Sequence, residues 1–173
     1  RTWISTAHAP IMLGGKVVLV DVLSDRPVMD TSQIREKINS RTRAIIPVLL
    51  CGCAVNMEEI WQIAKEHGLF VVEDAAQALF SKYKGEYMGT QSDAGCFSMA
   101  VSKLVSTGQG GFVATGNREF YEKMRLIRTH GVDNVNAATP FLRMGFNFRY
   151  TDLHASLGLV QLSMVQERIS KIG

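Results

Sequence analysis

Two side chains in this sequence combine a reactive group with surroundings that favour its use. Asp74 follows the apolar run Leu69-Phe70-Val71-Val72, and Lys103 lies in the mostly apolar stretch from Ser98 to Val105. A carboxylate at the end of a buried strand is placed to hold a polar or charged atom of a ligand. A lysine in such a stretch is most often a surface side chain laid along apolar neighbours; partly buried, it is biased toward the neutral amine, the form that attacks carbonyl carbon. Other candidates are weaker. Cys51-Gly52-Cys53 has one residue between its thiols, where zinc pairs usually have two or more and a second ligand pair elsewhere. These cysteines read as small buried hydrophobes. His8, His67, His130 and His154 show neither ligand spacing nor an adjacent nucleophile, so no metal is expected.

The elements that must position Asp74 and Lys103 follow from apolar periodicity. Lys16 to Val22, Ala44 to Leu50, Leu69 to Val72, Ala94 to Met99 and Phe112 to Thr115 read as strands. Between them, Thr31 to Asn39 reads as a helix capped by Asp30 or Thr31. Met57 to His67 reads as a helix with Ile60, Ile63 and Ala64 on one stripe and Gly68 at its end. Tyr83 to Gly89 suggests a small hairpin or turn, and Gly108 to Gly111 a flexible turn. Glu119 to His130 forms a further helix with Phe120, Met124 and Ile127 inward. A loop then runs to about Arg149, and a last helix starts at Thr151 or Asp152, carrying Leu153, Leu157, Val160, Leu162 and Val165. Strands apolar on both faces and separated by helices imply a parallel sheet covered on both sides, an α/β fold. Ligands of such sheets bind outside the strand C-termini, which is where Asp74 falls.

Composition narrows the class. The chain has 173 residues, 46% hydrophobic and 20% charged, enough for one sizeable core without an interdomain linker. A formal net charge of +3 is too small to argue for nucleic acid or a membrane surface. No run reaches the roughly 18 apolar residues of a spanning helix. The three cysteines are an odd count without framework spacing, as in a reducing cytoplasm. The chain opens at Arg1 directly before an apolar stretch and stops at Gly173 just after an amphipathic helix, so both ends look cut.

Four short features in order resemble the DegT/StrS-like family of sugar aminotransferases. They are Val72-Glu73-Asp74-Ala75-Ala76-Gln77-Ala78, Gly95-Cys96-Phe97-Ser98, Lys103 leading to Gly108-Gln109-Gly110-Gly111, and Gly145-Phe146-Asn147-Phe148-Arg149. Thr2-Trp3 and Ala44-Ile45-Ile46-Pro47-Val48 are similar to the family as well. The resemblance implies a three-layer α/β/α large domain of a fold-type I enzyme dependent on pyridoxal 5′-phosphate (PLP), with a mainly parallel sheet over residues 1–173. It also implies amino transfer, from glutamate to a keto group of a nucleotide-linked sugar. Two other enzyme readings stand beside it: a cyclitol aminotransferase, and a sugar dehydratase of similar shape. Such dehydratases can carry His in place of the lysine, which Lys103 argues against. A non-catalytic regulatory protein is the reading from another class.

The same resemblance assigns roles. Lys103 matches the lysine that forms the Schiff base with the cofactor and then moves protons. Asp74 matches the carboxylate paired with the pyridine nitrogen, and Gln77 the amide that donates to the phenolic oxygen. Ser98 matches a phosphate-binding hydroxyl and Trp3 the aromatic ring stacked on the cofactor. Asn147 matches the asparagine that reaches the phosphate from the neighbouring subunit of a homodimer. Glu73 points to the opposite face and is expected to be structural. The sequence departs from the family at Gln109, where Glu is common, at Ala100-Val101 and at His8. A Gly-Thr phosphate-binding turn is expected upstream of Arg1 and a small C-terminal domain downstream of Gly173.

Overall fold

A computed structural model of the chain describes residues 2–133 and 140–172; part of the loop expected between Gly131 and Arg149 lies outside these residues. The chain forms two compact units, Arg1–Ser98 with Gly111–Ala114, and Met99–Gly110 with Thr115–Gly173.

The first unit is built on a four-stranded sheet. β1 (Ala44–Ile45), β2 (Phe70–Asp74) and β5 (Ala94–Ser98) run parallel. β6 (Gly111–Ala114) pairs antiparallel with β5, so the order is β1-β2-β5-β6. β3 (Lys82–Tyr83) and β4 (Glu86–Tyr87) make the expected small hairpin. Three helices belong to this unit: α1 (Ser5–Met12), the short α2 (Ile34–Lys37) and α3 (Met57–His67).

α3 shows why the sequence signal was readable. The Asn56 side chain accepts from the Glu59 amide at its start. Gly68 ends it in the left-handed region, at φ 63, where glycine carries no Cβ penalty. Met57, Ile60, Ile63 and Ala64 are buried, in one cluster with Ile45, Leu49, Val71, Ala75 and Phe97. Side chains alternate along β2, so Val71 and Glu73 are buried while Val72 and Asp74 are partly exposed. Glu73 Oε2 accepts from the Gly89 amide at 2.7 Å, which ties the turn after β4 to the back of β2. Glu73 thus has a structural contact.

Three expectations change. The run Lys16 to Val22 is not a strand: among the described residues its pairing is limited to a Val22–Met29 bridge and the Asp30 amide donating to Asp21 O. Apolar, β-branched residues favour extension, but a strand exists only through ladder bonds to a neighbour. The run Ala44 to Leu50 is regular for just two residues, because Pro47 has no N–H to give the ladder. It still tracks β2, with the Asp74 amide donating to Pro47 O at 2.9 Å and the Leu49 amide to Asp74 O at 3.0 Å. The helix expected from Thr31 to Asn39 is a 3-10 turn over Thr31–Gln33 followed by α2, capped by the Asp30 side chain.

The second unit contains α4 (Arg118–Arg128), α5 (Asp152–Ser163) and α6 (Val165–Ile172). The Asn117 and Thr151 side chains cap α4 and α5. Here the expected burial fails. Phe120 and Ile127 of α4, expected inward, are exposed; the single last helix expected is two, α5 with Leu153, Leu157, Val160 and Leu162 exposed, and α6 with Val165 buried. An apolar stripe says which residues share a face and not whether anything covers it.

Candidate functional site

In the first unit the C-terminal edge of the parallel strands gathers the expected groups. Asp74 ends β2 in register with Cys96 of β5, and Ser98, also half-buried, ends β5 on the same edge. The Asp74 carboxylate is held at both oxygens. Thr6 Oγ1 donates to Oδ2 at 2.5 Å, and the Ala76 amide donates to Oδ1 at 3.2 Å. Cys96 sits beside it. Burial, and then the negative charge of Asp74, push the Cys96 thiol above the ordinary thiol range.

Gln77 is exposed just beyond this edge, and its Oε1 accepts from the Cys51 amide at 2.9 Å. With the oxygen so engaged, the Nε2 group is the end left to donate to a ligand. The Cys51 backbone that makes this bond is itself left-handed, at φ 54. That geometry corrects the reading of the cysteine pair: Cys51 is exposed and Cys53 half-buried, so they are not a buried apolar pair. Trp3 precedes α1 and is 73% exposed. Its carbonyl lies 3.3 Å from Thr6 Oγ1.

In the second unit Lys103 lies in a closed loop. The Met99 amide donates to Gly110 O and the Thr107 amide to Met99 O, both at 2.9 Å, so the two ends of the loop meet. Buried Val105 and Thr107 anchor its far side, with Thr107 Oγ1 donating to Gln109 O at 2.6 Å. Gly110 adopts φ 125, and a Cβ there would lie 2.5 Å from the Tyr150 ring, so the loop needs glycine at that point. Within this frame Lys103 is half-buried, as its apolar setting suggested; its amide donates to Ala100 O at 3.0 Å. Arg168 Nη1 holds the next carbonyl, Leu104 O, at 3.0 Å. Gln109 is exposed. Asn147 pairs through a backbone bridge with Thr129, and its Oδ1 accepts from Arg149 Nε at 2.9 Å.

Asp74, Gln77 and Ser98 are therefore grouped on one sheet edge, and the Thr6 hydroxyl, three residues after Trp3, bonds to Asp74 there. Lys103 and Asn147 belong to the other unit. Thr6 and the Cys51 amide are the participants that sequence reasoning missed. Nothing in hydrophobic periodicity marks them; the spacing of three between Trp3 and Thr6 was the available hint. Among the described residues, no group of His, Cys, Asp and Glu is arranged to hold a metal ion, and no helix is long and apolar enough to cross a membrane.

The DegT/DnrJ/EryC1/StrS aminotransferase family profile matches residues 1–171. The chain belongs to this family. DegT/DnrJ/EryC1/StrS proteins are PLP-dependent aminotransferases. GDP-perosamine synthase of Caulobacter vibrioides is 37% identical over 169 residues, covering 98% of this chain and 45% of that protein. PseC of Helicobacter pylori, an aminotransferase involved in pseudoaminic acid biosynthesis, superimposes with a TM-score of 0.90 at 31% identity, over 95% of this chain and 44% of that one. A Streptococcus pneumoniae protein assigned as a sugar aminotransferase, in its PLP form, gives 0.88 at 27% identity, over 96% and 47%. The fold is the fold-type I α/β fold of these enzymes, with a mainly parallel sheet. The chain spans about half the length of the relatives it matches.

Proposed function

We propose that the full-length protein is a PLP-dependent aminotransferase that moves an amino group from glutamate to the keto group of a nucleotide-linked sugar. The observation that carries this reading is the Asp74 carboxylate, fixed at both oxygens on the C-terminal edge of β2, in a chain of this family that keeps a lysine at position 103. When bound, PLP supplies an electron sink for the charge that develops at the donor carbon.

The residues present fit that group. Asp74 would face its ring nitrogen and keep a proton there. Gln77, with its oxygen occupied by the Cys51 amide, would donate through Nε2 to its phenolic oxygen. The Ser98 hydroxyl would bind its phosphate and Trp3 would stack on its ring. Lys103 would attach it covalently and, once displaced by the donor amine, use Nζ to take and return the proton of the substrate carbon. Residues 1–173 would together form its large domain. Asn147 would reach the phosphate from a partner subunit in a homodimer, which the exposure of Met144 and Phe148 on either side of it supports. Free thiols at Cys51, Cys53 and Cys96 support a cytoplasmic setting.

The test uses the full-length protein. Lys103→Ala is expected to abolish both the borohydride-reducible PLP adduct and amino transfer. A variant that retained both would overturn the assignment. Adding glutamate to the wild-type holoenzyme should shift the cofactor's visible absorbance; no shift with any amino donor would favour a regulatory protein instead.

A further inference from the structure

We infer that Thr6 is a positioning residue: its hydroxyl sets the direction in which the Asp74 carboxylate presents its lone pairs to the ring nitrogen of PLP. The inference rests on the PLP reading above and adds to it a residue that no motif in the sequence marks.

The backbone of Asp74 is already fixed on one side. Its amide donates to Pro47 O and its carbonyl accepts from the Leu49 amide. What remains is rotation of the side chain, and that is where Thr6 acts. Its hydroxyl has one hydrogen and two acceptors in reach, Asp74 Oδ2 at 2.5 Å and Trp3 O at 3.3 Å. The shorter bond, to an ionised partner, takes the hydrogen. Thr2 Oγ1, 3.5 Å from Thr6 Oγ1, can in turn donate to Thr6. With the Ala76 amide on Oδ1, donors from two different segments grip the two oxygens and define the carboxylate plane. A carboxylate has about four acceptor positions, so both oxygens keep a lone pair for a further donor.

Thr6 suits this task by shape as well as chemistry. It stands in the first turn of α1, where a β-branched side chain has few rotamers. It also follows Trp3 closely, so a single side chain links the segment bearing the stacking ring to the carboxylate. Loss of the hydroxyl would free the carboxylate to turn and α1 to shift, while the sheet edge stayed in place.

The experiment compares full-length wild type with Thr6→Val, Thr6→Ala and Thr6→Ser. Each apoprotein is titrated with PLP, followed by protein fluorescence, and the pH at which bound PLP changes its visible band is recorded. Thr6→Val and Thr6→Ala should weaken PLP binding by about tenfold to a hundredfold, the range for a lost hydrogen bond to a charged group. They should also move the pH of the spectral change. Thr6→Ser should bind within about threefold of wild type, since it keeps the donor. Two results overturn the inference: Val and Ala variants that bind PLP like wild type with an unmoved spectral pH, or a Ser variant as weak as Ala. Melting of the apoproteins separates a structural role. If the Val and Ala variants melt far below wild type and lose affinity only in proportion, Thr6 is structural and the inference falls. A wild-type protein that does not bind PLP at all would instead overturn the cofactor reading itself.

Discussion

The two units use apolar residues in opposite ways. In the first, α3 turns Met57, Ile60 and Ile63 into a core and leaves each at most 1% exposed. In the second, α5 carries as strong a set of leucines and valines, yet Leu153 is 80% exposed and Gly158 is the helix's one buried residue. Both patterns looked alike in the sequence. The first has β1 and β2 to pack on within its own unit; the second has no comparable partner among the described residues of its unit. The candidate site residues divide along the same line. Asp74, Gln77 and Ser98 are anchored by the sheet, whereas Lys103 is anchored by a loop closed through Met99, Thr107 and Gly110.

That contrast can be broken by mutation in the full-length protein. Ile60→Ala should cost about 2–5 kcal/mol, because removing three fully buried side-chain carbons leaves a cavity. Leu153→Ala should cost no more than about 0.5 kcal/mol. Urea unfolding checks both. A comparable loss at Leu153 would show that its face is covered in the intact protein, and the contrast would then belong to this chain taken alone.

Buried polar contacts sharpen the comparison at smaller magnitude. Glu73→Ala leaves the Gly89 amide without its acceptor and should cost about 1–3 kcal/mol, while Glu73→Gln, which keeps an acceptor oxygen, should cost less. In the other unit Thr107→Val removes the bond to Gln109 O and should cost about 1 kcal/mol. If the order were reversed, the Lys103 loop and not the sheet would be the better anchored part of the molecule.

The smallest effect is chemical. Exposed Cys51 should react with an alkylating reagent well before Cys96, whose thiol is held protonated by burial and by Asp74. Because the folded-state value of Cys96 is raised, its contribution to stability is present below the unfolded thiol's range. It is lost as pH rises through the higher folded value. Stability of wild type should therefore fall more in alkaline solution than that of Cys96→Ala, as measured by melting from neutral to alkaline pH. Equal slopes would remove the buried charge effect from the sheet edge.

The place of Asp74 at a strand end was legible because it is local. Asp74 ends an apolar run, so a strand edge could be assigned to it without knowing its neighbours. The helix Met57–His67 was legible to the residue from its apolar stripe and the Gly68 that ends it. The run Lys16 to Val22 was misread because extension needs a partner strand, which lies in no local pattern. Cys51 was misread because its left-handed backbone and exposure come from a turn that brings it to Gln77. Thr6 was not read at all, since its partner is distant in sequence.

By itself the sequence determined the family, named Lys103 and Asp74 as candidates, and located the strand that carries Asp74, all of which rest on residue types and short spacings. Tertiary structure alone decided which apolar faces are covered, how the Gln77 amide is turned, and which hydroxyl holds Asp74. Those depend on contacts between segments far apart in the chain, where packing and hydrogen bonding, and not local propensity, set the outcome.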